Sequence, residues 1–71
     1  MSEEELRAAL RRIVHDGRTP LTVITGFADL LVRDPEALGP DGQADALRRI
    51  AEAATELRGV LDEADEASRP R

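Results

Sequence analysis

The sequence predicts an all-α protein: an antiparallel two-helix hairpin that dimerises into a four-helix bundle. Three observations carry this expectation. Apolar residues recur at alternating steps of four and three, the spacing of a helix face packed against other helices. Eleven alanines and a single aromatic residue, Phe27, favour helix over sheet. One short stretch containing Pro35, Gly39 and Pro40 interrupts an otherwise continuous pattern.

The first helix is expected over about residues 3–34. Ser2 and Glu5 have the spacing of a capping box, and Glu3, Glu4 and Glu5 suit the positive end of the helix dipole. The apolar stripe runs Leu6, Leu10, Ile13, Ile24, Phe27 and Leu31, with Gly17 and Pro20 in the intervening places and Leu21 and Ala28 widening it. Pro35 disfavours helical geometry at Asp34 and predicts a turn over 35–39. Pro40 suits the first position of a second helix, expected over about 40–66. Its stripe is Gln43, Ala46, Leu47, Ile50, Ala53, Ala54, Leu57, Val60, Leu61 and Ala64. The opposite face carries charges spaced for the pairs Arg48–Glu52 and Arg58–Asp62. Residues 1–67 thus form one helical-hairpin dimerisation domain, and 68–71 a tail or linker.

The short connection makes the helices antiparallel neighbours. Each apolar stripe is too wide for one partner helix to cover, so two hairpins related by a twofold axis close the bundle. A chain of 71 residues builds a marginal core alone, and with no cysteine it has no disulfide to add. A homodimer is the remaining remedy.

Composition also excludes functions. One histidine without a cysteine or histidine cluster argues against a metal site. A net charge of −5 argues against nucleic-acid binding. No apolar run approaches the roughly 20 residues that span a bilayer, so no direct membrane insertion is expected. The acidic start Met1-Ser2-Glu3-Glu4-Glu5 is unlike a signal peptide, and a cytoplasmic location is expected, with a membrane anchor elsewhere in a longer parent still compatible.

His15 stands out chemically. At about 100° per residue, with Ile24 at the centre of the core face, His15 falls diametrically opposite, in line with Arg11, Thr22, Gly26 and Arg33. The one histidine is therefore expected to be exposed, and near neutral pH its imidazole is largely a neutral nucleophile. Asp16 follows it, and Thr19 lies one turn on. Pro20 removes an amide donor and clashes with the carbonyl of Asp16, at a cost of about 3 kcal/mol. Gly17 costs roughly 1 kcal/mol more relative to alanine. Two helix-softening residues flanking a His-Asp pair mark a place where the helix bends. Val23 and Leu30 form an apolar strip outside the core arc, suited either to edge packing between helices or to a transient protein partner.

The stretch His15–Leu31, HDGRTPLTVITGFADLL, closely resembles the H-box of sensor histidine kinases, and the whole chain looks like that family's dimerisation and histidine-phosphotransfer domain. Six of the seven motif positions match; Gly17 stands where the family usually has an aliphatic residue. The resemblance implies a phosphoacceptor His15 that receives a phosphoryl group on Nε2 and passes it to an aspartate of a response-regulator receiver domain. It further implies that Asp16 orients the ring and acts as base, that Thr19 positions a hydrolytic water, and that Pro20 permits bending. Arg18 is implied in contact with phosphate or acidic groups. Arg18, Thr22, Val23, Gly26 and Leu30 are the expected partner-binding residues.

The chain contains no asparagine and no Gly-rich nucleotide loop. ATP and magnesium are therefore expected on a separate catalytic domain, acting in cis or in trans, with no cofactor held here. Two other readings share the fold: a stand-alone histidine phosphotransfer protein, and a structural hairpin dimer whose H-box has lost its chemistry.

Overall fold

Helix α1 spans Glu3–Arg33 and helix α2 spans Pro35–Ser68 in the computed structural model, which describes residues 2–70. Met1, the first residue of the expected domain, and Arg71, the last of the expected tail, lie outside the described residues. Ser2 caps α1 from an extended conformation, its Oγ accepting the Glu5 amide at 3.1 Å, and its hydroxyl donates to Glu5 Oε1 at 3.1 Å. One residue closes α1 and opens α2. The Asp34 amide donates to the Leu30 carbonyl at 3.0 Å, while its carboxylate accepts the Ala37 amide at 3.3 Å.

The turn expected over 35–39 is helical as far as Leu38. Only Gly39 leaves helical geometry, at φ 67° and ψ 172°, so α2 is two helical pieces joined by a kink. The physical reason is that Asp34 and Pro35 are a cap and a first-turn residue before they are turn formers. Gln43 then fastens the extra turn, its Nε2 donating to the Pro35 carbonyl at 2.8 Å. At the other end α2 continues past 66 to Ser68, where the Ser68 hydroxyl donates to the Asp65 carbonyl at 2.8 Å. Arg69 in the expected tail pairs with Asp65 at 2.9 Å.

The two helices are antiparallel. Gly17 lies against Leu57 and Val60, Val23 beside Ala53, and Phe27 beneath Arg49, so positions ascending on α1 meet positions descending on α2. The hairpin measures 52 × 20 × 12 Å, and its thin dimension is one helix diameter. It is a single layer. Among the described residues only Pro20, Ala46 and Ala53 are buried, all on the seam, flanked by half-buried Ile13, Ile24, Phe27, Leu31, Ile50, Leu57 and Val60.

The broad apolar stripes therefore divide. Leu6, Leu10, Leu21, Leu47 and Leu61, expected in the core, are 49%, 52%, 48%, 58% and 56% exposed, and Val14 joins them. Leu10, Val14 and Leu21 on α1 and Leu47 and Leu61 on α2 are displaced by roughly 60–100° from the seam in the same winding sense, whereas Leu6, in line with Ile24, is exposed near the start of α1. Because the helices run oppositely, both strips emerge on the same side of the layer. That side is a continuous apolar face.

Gly17 leaves no cavity. A Cβ built there sits 3.5 Å from Leu57 Cδ1 and 3.9 Å from Val60 Cγ1, ordinary van der Waals contact, so α2 has closed over it. Gly17→Ala is accordingly expected to raise stability by about 1 kcal/mol in a chemical denaturation series, through helix propensity. Gly39 has open space where a Cβ would stand but a positive φ, and Gly39→Ala is expected to lower stability by about 1–3 kcal/mol in the same series.

Candidate functional site

Histidine 15 sits midway along α1, exposed, on the face turned away from α2. The helix is continuous around it, through Gly17 and Pro20 alike, and no non-helical dihedral interrupts α1. Pro20 is the one buried residue of α1, so packing against α2 holds in place a residue whose backbone disfavours the helix. Its missing amide leaves the Asp16 carbonyl without the usual helical donor. Three threonine hydroxyls donate to nearby carbonyls instead of projecting freely. Thr19 Oγ1 reaches His15 O at 3.4 Å, Thr22 Oγ1 reaches Arg18 O at 2.9 Å, and Thr25 Oγ1 reaches Thr22 O at 3.2 Å. Such back-bonding competes with the helical ladder and favours bending.

His15 and Asp16 diverge, as neighbours on a helix must. The imidazole points outward; Asp16 lies at a groove along the seam with Arg12, Ile13, Val60 and Glu63. Among the described residues, the only side-chain hydrogen bond between His15 and another expected site residue is the one its carbonyl accepts from the Thr19 hydroxyl. Arg18 is exposed beside His15 and makes no ion pair among the described residues.

Four of the five expected partner-binding residues do come together. Thr22, Val23, Gly26 and Leu30 line a shallow, almost wholly apolar depression of about 270 Å³, and Phe27 completes it. Gly26 contributes by omission: nothing lies within 4 Å of where its Cβ would be. Phe27 was expected in the core, and in the structure it is half-buried and serves both the seam and this surface.

The helix α2 side of this surface was not legible from the motif. Arg49 stands with its guanidinium 5.8 Å from the centroid of Phe27, within reach of a cation–π contact between the helices. A second groove adjoins it, lined by Val23, Ala53, Arg49, Glu52, Thr55 and Glu56. Asp45 anchors the arrangement. It pairs with Arg49 at 2.9 Å and also with Arg48, which thus turns to Asp45 rather than to the expected Glu52. The expected Arg58–Asp62 pair is likewise absent among the described residues, since side-chain spacing permits such pairs without requiring them. The hydrogen bond from Arg49 holds the Asp45 carboxyl below the ordinary carboxylate range, and the same bond raises the Arg49 guanidinium.

Among the described residues no three His, Cys, Asp or Glu side chains are grouped so as to hold a metal ion. No described helix is long and apolar enough to cross a membrane.

The family model described as His Kinase A (phospho-acceptor) domain matches residues 5–71. No curated protein and no solved structure matches the chain.

A carboxyl whose folded-state pKa is depressed contributes stability above its ordinary range and loses it as the pH falls through the folded value. Asp45→Asn is therefore expected to lower the melting temperature slightly at neutral pH. The difference from the parent vanishes in strong acid and shrinks at high salt, as followed by circular dichroism melts.

Proposed function

The chain belongs to the His kinase A phosphoacceptor family, and on that premise we propose that it serves a two-component sensor histidine kinase by carrying a phosphoryl group on His15 to a response regulator. The observation that carries this reading is the exposed His15 within the HDGRTPL sequence, on the outer face of a hairpin matched by the family over 67 of its 71 residues, 5–71. His15 Nε2 attacks the terminal phosphorus of ATP held by a separate kinase domain. An N–P bond forms, the P–O bond to ADP breaks, and the proton on Nδ1 passes to Asp16 once its carboxylate has turned from the seam groove toward the ring. The receiver aspartate then takes the phosphoryl group from His15. Thr19 orients the water that hydrolyses the phosphorylated regulator. The depression formed by Thr22, Val23, Gly26 and Leu30 offers the receiver domain an apolar foothold beside the histidine, and Arg18 offers a charge. Gly17 and Pro20 let α1 bend between the kinase-engaged and regulator-engaged arrangements. A supply of ATP places this chemistry in the cytoplasm.

The homodimer is supported by burial. The apolar face of Leu10, Val14 and Leu21 on α1 and Leu47 and Leu61 on α2 has no partner in a single hairpin. A second copy, turned face to face, covers it and supplies the second layer that a bundle needs. Leu21→Lys combined with Leu47→Glu is expected to shift the protein from dimer to unfolded or monomeric chain, read by sedimentation velocity and circular dichroism.

Phosphotransfer is tested directly. The chain is incubated with ATP, magnesium and a purified histidine-kinase ATP-binding domain, and the product examined by mass spectrometry for an acid-labile adduct. The expected result is one phosphoryl group on the parent and none on His15→Ala, with the dimer intact in both. Failure with several kinase domains, on folded dimeric protein, replaces this reading with a purely structural hairpin dimer.

A further inference from the structure

The arginines of this chain fall into two groups. Arg7, Arg33, Arg48, Arg49 and Arg69 each pair with a carboxylate three or four residues away in the chain. Among the remaining described arginines, Arg12 has Asp16 and Arg58 has Asp62 at that spacing, available though unpaired. Arg11 and Arg18 have none. One turn to either side of Arg11 stand Arg7, Ala8, Val14 and His15; one turn to either side of Arg18 stand Val14, His15, Leu21 and Thr22. The one polar ring these two guanidiniums share as a helical neighbour is His15, four residues after Arg11 and three before Arg18. All three residues are exposed, helical periodicity places them away from the seam, and neither arginine pairs with a carboxylate among the described residues.

Two uncompensated cations about one turn above and below an imidazole repel each other slightly and gain nothing in the free protein. The arrangement becomes favourable once a dianion sits on the ring. A phosphoryl group offers three strong acceptor oxygens, and guanidinium binds such oxygens in a planar, two-pronged geometry. Resting on the phosphoacceptor reading of His15, we infer that Arg11 is a positioning residue which, with Arg18 on the other side, clasps the phosphoryl oxygens on His15 Nε2 and slows their loss to water. Arg18 lies within the H-box; Arg11 lies outside it.

The test uses phosphoramidate as donor, so no kinase domain is required. Nε2 attacks phosphorus, the P–N bond breaks, and the nitrogen leaves as ammonium with the proton released from Nδ1. Parent, Arg11→Gln, Arg11→Lys and Arg58→Gln are phosphorylated, freed of donor, and the decay of phosphohistidine followed by ³¹P NMR. Arg11→Gln is expected to shorten the half-life about two- to fivefold, the range of one exposed charge contact. Arg11→Lys recovers part of the loss, Arg58→Gln behaves as the parent, and high salt narrows the difference. Equal half-lives for parent and Arg11→Gln overturn the proposal. So does a dimer weakened by Arg11→Gln at equal phosphohistidine lifetime, which assigns Arg11 to the subunit interface. An adduct from phosphoramidate but none from any kinase domain counts against the phosphotransfer function and leaves the Arg11 result to stand or fall by itself.

Discussion

Two helices lying side by side in one layer bury a seam and nothing more, and the rest of this protein follows from that constraint. With a thickness of 12 Å there is no second layer to enclose a core, and among the described residues the buried positions reduce to Pro20, Ala46 and Ala53. Alanine at two of these three places lets the backbones approach, so the seam gains contact but little apolar area. Leu10, Leu21, Leu47 and Leu61 are left on one side of the layer, half in water. Most of the hydrophobic stabilisation this sequence can provide is therefore unused until another surface meets that side. The seam sets the register, and the leucine face lies outside it.

The same geometry turns the histidine outward. A residue opposite the seam on a helix of a single-layer hairpin, and away from the leucine face, stays in solvent whether or not the second hairpin is present. His15 occupies that position, and Arg11 and Arg18 border it. Its neighbours Gly17 and Pro20 point the other way, into contact with α2. Chemistry and packing thus share one turn of helix on opposite faces. The residue that most weakens the local backbone is also the one most completely buried, so tertiary contact offsets a defect of about 3 kcal/mol.

Charge is distributed with comparable economy. On both helices arginine–carboxylate pairs one turn apart decorate the outer surfaces, and each is exposed and individually weak. Asp45 is different because it gathers two guanidiniums, one of which also lies over Phe27 on the opposite helix. That small network joins α1 to α2 near the depression beside Thr22 and Leu30.

Much of this was written in local sequence. The four-three spacing, the Ser2 cap and the proline at 35 determine two helices and a reversal, because those signals act within one turn of chain. Helical periodicity alone also places His15 opposite Ile24, away from the seam. What the sequence did not determine depends on residues far apart in the chain. Which half of a wide apolar stripe faces the seam is decided by how the two helices pack, so Leu10 and Leu21 could not be told from Ile13 and Ile24 beforehand. That Gly17 is filled by Leu57 and Val60, and that Phe27 meets Arg49, rests on the same register. At the tip, Pro35 and Gly39 both read as turn formers. Gln43, donating to the Pro35 carbonyl eight residues back, accompanies the helical turn between them and leaves Gly39 as the kink. Periodicity is a property of one helix, whereas register is a property of two, and only the folded hairpin brings the second into being.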